Sequence, residues 1–145
     1  MFKHILIPTD GSGLSTMAIQ KALQLAHDAH AKVTVITVME PFHVFSMDST
    51  QLADTRSVYE KHARDAARHY LNVATEQAEA LGVECEAIHV EHAMPYKAIT
   101  ETAAEKGCDL IAMASHGRRG AAALLLGSET VKVLTHSSIP VLVYR

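Results

Sequence analysis

The chain has 145 residues, 48% of them hydrophobic and 20% charged, and a net charge of −3. That length predicts one domain, residues 1–145, with a core large enough to need no disulfide or metal staple. Mild acidity argues against binding nucleic acid by phosphate neutralisation, the aliphatic content excludes disorder, and no apolar run reaches the ~18 residues of a membrane span.

Ile5-Leu6-Ile7, closed by Pro8, reads as a buried strand from His4 to Thr9. Asp10-Gly11-Ser12-Gly13 is a turn cluster, and Ser12 is placed to cap a helix from Leu14 to Ala29. Leu14, Met17, Ala18, Ala22, Leu25, Ala26 and Ala29 share one face of that helix. Lys32 to Val38, rich in β-branched residues, is a second strand, ended by Glu40-Pro41. Residues 41–54 show no period and predict a long loop, the kind that packs over something functional. Tyr59, Ala63, Ala66, Tyr70, Val73, Ala74, Ala78 and Leu81 mark a helix from Thr55 to Leu81, stopped by Gly82. Val83 to Val90 is a third strand, and Pro95 opens a helix running to Lys106-Gly107. Asp109 to Ala114 is a fully apolar fourth strand, followed by a loop bearing glycine and arginine from Ser115 to Gly127. Ser128 to His136 is a short helix and Pro140 to Tyr144 the last strand. The alternation predicts an α/β fold: a five-stranded parallel sheet with right-handed crossovers and helices on both faces, of flavodoxin-like or half-Rossmann size.

In such sheets ligands bind beyond the carboxyl ends of the strands. The loop after the fourth strand is the richest such place. Ser115-His116-Gly117-Arg118-Arg119-Gly120 and then Gly127-Ser128 combine close-approach glycines, two guanidinium groups and a helix start. These are the parts of a phosphate cradle, with Ser128 as the helix cap, or of an ordinary loop with solvated arginines. Asp10, at the tip of the first strand, suits a ribose hydroxyl or an Asx turn. The main chain near Val38 suits the edge of an adenine.

At these residues the sequence resembles the universal stress protein family, specifically its ATP-binding branch, over essentially the whole chain. The resemblance is carried by Ile5-Leu6-Ile7-Pro8-Thr9-Asp10-Gly11-Ser12, Val35-Ile36-Thr37-Val38 and Ile139-Pro140-Val141-Leu142-Val143. Its most specific part is the nucleotide loop: Gly117, nine residues, then Gly127-Ser128, with Ala114 where the family pattern has its first glycine. The resemblance implies a Rossmann-like fold that binds ATP or AMP across strands one, two and four. Pro8, Thr9 and Asp10 would flank the adenosine, with Asp10 on the ribose, and Val38 would pair with adenine through its backbone. Met113, Ala114, His116, Gly117, Arg118, Arg119, Gly127, Ser128, Glu129 and Thr130 would surround ribose and phosphates, with Mg2+ or Mn2+ on the phosphates. It also implies a homodimer through the apolar edge Val141-Leu142-Val143, and a stress-response signalling module whose nucleotide state partner proteins read.

Other chemistries are poorly supported. The run from Gly11 to Thr16 nears a dinucleotide fingerprint but puts Thr16 where the third glycine belongs, and no Gly-Lys-Ser/Thr loop occurs. A receiver domain would need a second acidic residue beside Asp10. The ten histidines, including His27/His30 and His89/His92, do not supply three or four convergent ligands. No general base is evident, so hydrolysis is expected to be slow or absent; the alternatives are a slow adenine-nucleotide hydrolase and a nucleotide-free dimeric adaptor. The opening residues are too few before Pro8 for a signal peptide, and Cys85 and Cys108 form no CxxC pair, so a cytoplasmic protein with reduced thiols is expected.

Overall fold

The apolar run near the start of the chain becomes the centre of the sheet. A computed structural model describes residues 1–43, 49–117 and 126–145. In chain order the elements are β1 (His4–Pro8), α1 (Gly13–Ala29), β2 (Lys32–Met39), α2 (Ser49–Leu81), β3 (Cys85–Glu91), α3 (Pro95–Glu105), β4 (Leu110–Ala114), α4 (Ser128–His136) and β5 (Val141–Tyr144). All pairings are parallel and the strand order is β3-β2-β1-β4-β5. This is the half-Rossmann order rather than the flavodoxin one, and its direction reverses between β1 and β4.

Strand alternation sorts the core into two layers. Ile5, Ile7, Val33, Val35, Leu110 and Ala112 face α1 and α2, where Ile19, Leu23, Leu71 and Ala74 meet them. Leu6, Ile36, Ile111 and Met113 face α3 and α4, against Ile99, Ala103 and Val133. The two cysteines sit on opposite faces of the sheet, Cys85 with the first layer and Cys108 in the second. Burial pushes both thiols up to about 11, so they stay protonated.

Most element ends fall within two residues of expectation, β3 beginning at Cys85 rather than Val83, but two expectations need correction. Residues 49–54, expected in a loop, are the first turns of α2. Gln51, Leu52 and Ala53 are good helix formers, and propensity carries a segment that has no clear apolar face. The rest of the expected loop includes residues 44–48, outside the described residues. Ser128 is not the cap of α4: the cap is Gly127, which offers no side chain, and Ser128 is the first helical residue. Ser12 does cap α1, accepting from the Ser15 N–H at 3.2 Å.

The amino end of the sheet holds one buried imidazole. His4 is 6% exposed and its Nε2 lies 2.7 Å from the Thr34 hydroxyl. The Asp109 carboxylate accepts from the main-chain N–H groups of Lys3 and His4 beside it. Burial, with Lys32 adding, holds His4 below its ordinary value of 6.5; the Lys106 carbonyl, Asp109 and Glu86 oppose the shift. The unfolded chain therefore binds the extra proton first. The stability that neutral His4 contributes is complete above about pH 6.5 and is lost as pH falls through the folded value. Urea titrations at about pH 7.5 and about pH 5.5 will show a smaller stability loss in His4→Gln than in the parent protein. Equal losses would mean that His4 is not a source of the acid sensitivity.

Candidate functional site

At the carboxyl end of the sheet the strands stop at different heights. β1 makes its last pairing at Pro8↔Ile36, whereas β2 continues to Met39. The ladder shows which way each β2 residue points. The Lys32 N–H donates to the Lys3 carbonyl and the Thr9 N–H to the Ile36 carbonyl, so even-numbered residues bond toward β1. The Val33 N–H donates to Glu84 and the His92 N–H to the Met39 carbonyl, so odd-numbered residues bond toward β3. Val38 thus presents its N–H and C=O on the β1 side, two residues beyond the last β1 pairing. Pro8 lacks a donor at the level where β1 and β4 part; their ladder is Ile5↔Leu110 and Leu6↔Ile111.

A cavity of about 420 Å³ opens there, across the point where strand order reverses. Pro8, Thr9, Asp10, Val38, Met113, Ala114, His116, Gly117, Gly127, Ser128, Glu129 and Thr130 all line it. Arg118 and Arg119 lie outside the described residues.

Each loop is held by its own hydrogen bonds. Asp10 Oδ1 accepts from the Ser12 N–H at 3.0 Å, an Asx turn. Its Oδ2 occupies the space that a side chain at Gly117 would need, so the two loops meet carboxylate to glycine. The Thr9 hydroxyl lies 3.2 Å from Ser15 Oγ, and the Thr37 hydroxyl donates to the Thr9 carbonyl at 2.8 Å. Buried hydroxyls thus pin the β1 loop to α1 and β2. On the other side the Gly127 N–H donates to the Ser115 carbonyl at 2.7 Å, and an added Cβ at Gly127 would crowd His116. The Thr130 hydroxyl donates to the Ala114 carbonyl at 3.1 Å and Thr130 is only 2% exposed, so it ties α4 to the end of β4. Glu129 braces α3, accepting from the Tyr96 N–H at 3.0 Å and from Lys132 Nζ at 3.3 Å. With glycine as cap, the first N–H groups of α4 have no capping side chain, and this end of the helix carries the positive pole of its dipole.

The sequence reading missed the wall opposite. Tyr59, Ala63, Ala66 and Tyr70, members of the single stripe expected on α2, line the cavity, and Ala67 lines it beside them. Periodicity reports that a helix face meets something, not whether that is side chains or a void. Two tyrosines on the stripe were the available hint. The Tyr59 hydroxyl donates to the Glu40 carbonyl at 2.9 Å and its ring lies 5.2 Å from that of Phe42, joining α2 to the end of β2. His89, also on the wall, is held below its ordinary value by burial, opposed by Glu91 and assisted by Arg64. Among the described residues no three His, Cys, Asp or Glu side chains form a group that could hold a metal ion, and no helix is long and apolar enough to cross a membrane.

The model of the universal stress protein family matches residues 1–145. Universal stress protein YxiE of Bacillus subtilis is 30% identical, the match covering 100% of both chains. Among solved structures, hypothetical protein MJ0577, known also as a universal stress protein of Methanocaldococcus jannaschii, has a TM-score of 0.81 at 26% identity, covering 99% of this chain and 95% of its own. A universal stress protein in complex with cAMP has a TM-score of 0.73 at 29% identity, covering 99% and 97%.

Proposed function

We propose that the chain, which belongs to the universal stress protein family, is a nucleotide-dependent module of the ATP-binding branch, its whole length forming one such domain. The observation that carries this reading is the cavity itself, with a main-chain donor and acceptor at Val38, a carboxylate at Asp10 and the start of α4, which has no capping side chain, all along its lining. Adenine offers an acceptor at N1 and a donor at N6, the complement of the Val38 N–H and C=O; guanine reverses that pattern. Asp10 accepts from the ribose hydroxyls. The phosphates lie at the first turn of α4 beside Gly117, with Arg118 and Arg119 adding charge. Mg2+ or Mn2+ then rides on the phosphates, as suits a site whose described residues supply no ligand cage. The relative in complex with cAMP supports an adenine nucleotide; ATP or AMP is the form proposed here.

The module is not an efficient enzyme. In this reading Asp10 is engaged by the ribose, and Glu129 is tied to the Tyr96 N–H and to Lys132. Turnover stays below about one per minute, the regime of a nucleotide site without a positioned base. Saturating ATP, at about 100 times its dissociation constant, adds ~2.7 kcal/mol to stability and raises the melting temperature, while GTP leaves it unchanged. ATP is recovered intact afterwards. An equal shift with GTP would remove the Val38 pairing, and steady phosphate release would favour the slow-hydrolase alternative.

The module works as a homodimer in the cytoplasm, where partner proteins read its nucleotide state. Both outer strands are edges, but β3 carries Glu86, His89 and Glu91, whereas β5 offers the half-buried, uncharged Val141–Tyr144. Charge guards the first edge; pairing with a second copy through Val141, Leu142 and Val143 covers the other. Val143→Lys is expected to sediment as a monomer with its nucleotide affinity retained. An unchanged dimer would place the interface elsewhere.

A further inference from the structure

We propose that Tyr70 of α2 is a nucleotide-binding residue, closing the cavity over the sugar and linking occupancy to the long helix. This rests on the adenine-nucleotide reading above and adds to it a contact from outside the strand-end loops. The ring lines the cavity together with Asp10. It also lies against Gly11, where an added Cβ would overlap Cδ1, Cε1 and Cζ of the ring, so Tyr70 occupies the side-chain space of the residue that follows Asp10. Gly11 has φ +77°, so glycine is required there both for the turn and for the approach of the ring.

The ring sits at the edge of the core rather than in it, with His69 beside it at a centroid distance of 6.2 Å. Tyr70 is half-buried, whereas Leu71 and Ala74 on the neighbouring face of α2 are packed into the core. On the preceding turns Ala63, Ala66 and Ala67 line the same wall. Their small side chains keep space between α2 and the ends of β1 and β2, and the aromatic ring bounds that space at the Asp10 end. A ribose held by Asp10 therefore has its apolar C–H face toward Tyr70. An aromatic ring suits that face, since it offers broad contact area with little conformational entropy to lose. Phenylalanine would do the same; alanine would open the wall.

The test pairs calorimetry with fluorine NMR of protein carrying fluorotyrosine. Tyr70→Ala is expected to bind both ATP and adenosine about tenfold more weakly, because the contact is to the sugar, and Tyr70→Phe to stay within about threefold of the parent. In labelled protein the resonance missing from Tyr70→Phe is expected to move on ATP saturation, while that of Tyr144, in β5 beside Lys21, stays put. Tyr70→Ala affinities within about twofold of the parent for both ligands, or a stationary Tyr70 resonance at saturation, would overturn the assignment. If Tyr70→Ala does not fold, the resonance decides. A parent protein that binds no adenine nucleotide overturns the underlying reading as well; a parent that binds ATP while the Tyr70 signal stays fixed overturns this assignment alone.

Discussion

Ser128→Asp is expected to weaken ATP binding about 100-fold while leaving adenosine binding within about twofold. Ser128 is the first residue of α4 and lines the cavity at the end proposed for the phosphates. Were a carboxylate there to stand about 5 Å from a bound phosphate, the two unit charges would repel by roughly 3 kcal/mol at an effective dielectric of about 20. The same charge favours the helix by about 0.3–1 kcal/mol, because it complements the dipole where Gly127 supplies no cap. Loss of affinity is thus expected without loss of stability, which separates a phosphate site from general damage. Calorimetry with ATP and adenosine, beside a thermal melt of the unliganded protein, reads all three quantities. Equal weakening of both ligands would place the phosphates somewhere other than the start of α4.

Gly117→Val is expected to cost ATP and adenosine alike, by about 100-fold or more. A Cβ at Gly117 would take the position held by Asp10 Oδ2. The carboxylate must turn so that Oδ2 leaves the place where it would meet the ribose, which also strains the 3.0 Å bond that Oδ1 accepts from the Ser12 N–H. The strain of overpacking is about 1–3 kcal/mol, within the stability of a domain this size, so the variant folds. Gly13 is the natural control. An added Cβ there meets nothing within 4 Å, and Gly13 opens α1, so Gly13→Ala should bind normally. If Gly117→Val bound adenosine like the parent, Asp10 would not be the ribose ligand.

Much of this arrangement was legible because it rests on local signals. The strand at Ile5-Leu6-Ile7 and the helix from Ser128 to His136 follow from short apolar runs and breakers, and the structure agrees to within a residue. The loop residues meet in space because parallel strands must all end on the same side of the sheet. What could not be read is non-local. Strand order depends on the direction in which each crossover turns, and no residue announces it, so the element pattern alone left flavodoxin-like and half-Rossmann orders equal and only the family resemblance favoured a Rossmann-like fold. The approach of Asp10 to Gly117 joins segments more than 100 residues apart. The cavity wall of α2 was hidden for a different reason: Ala63, Ala66 and Tyr70 carry the pattern of a packed face whether they meet a core or a ligand. Ser128 looked like a cap because serine usually is one; the glycine before it has the cap conformation instead, with φ −63° and ψ 153°.

The most direct measurement is amide NMR of the labelled protein titrated with ATP. The account predicts that the N–H resonances of Val38, Gly117 and Ser128 move together and saturate. Those of Lys3, Lys32 and Asp109, at the amino end of the sheet, are predicted to remain in place. Shifts that gather at the amino end, or no shifts up to millimolar ATP, would contradict the claim that an adenine nucleotide lies across the ends of β1, β2 and β4.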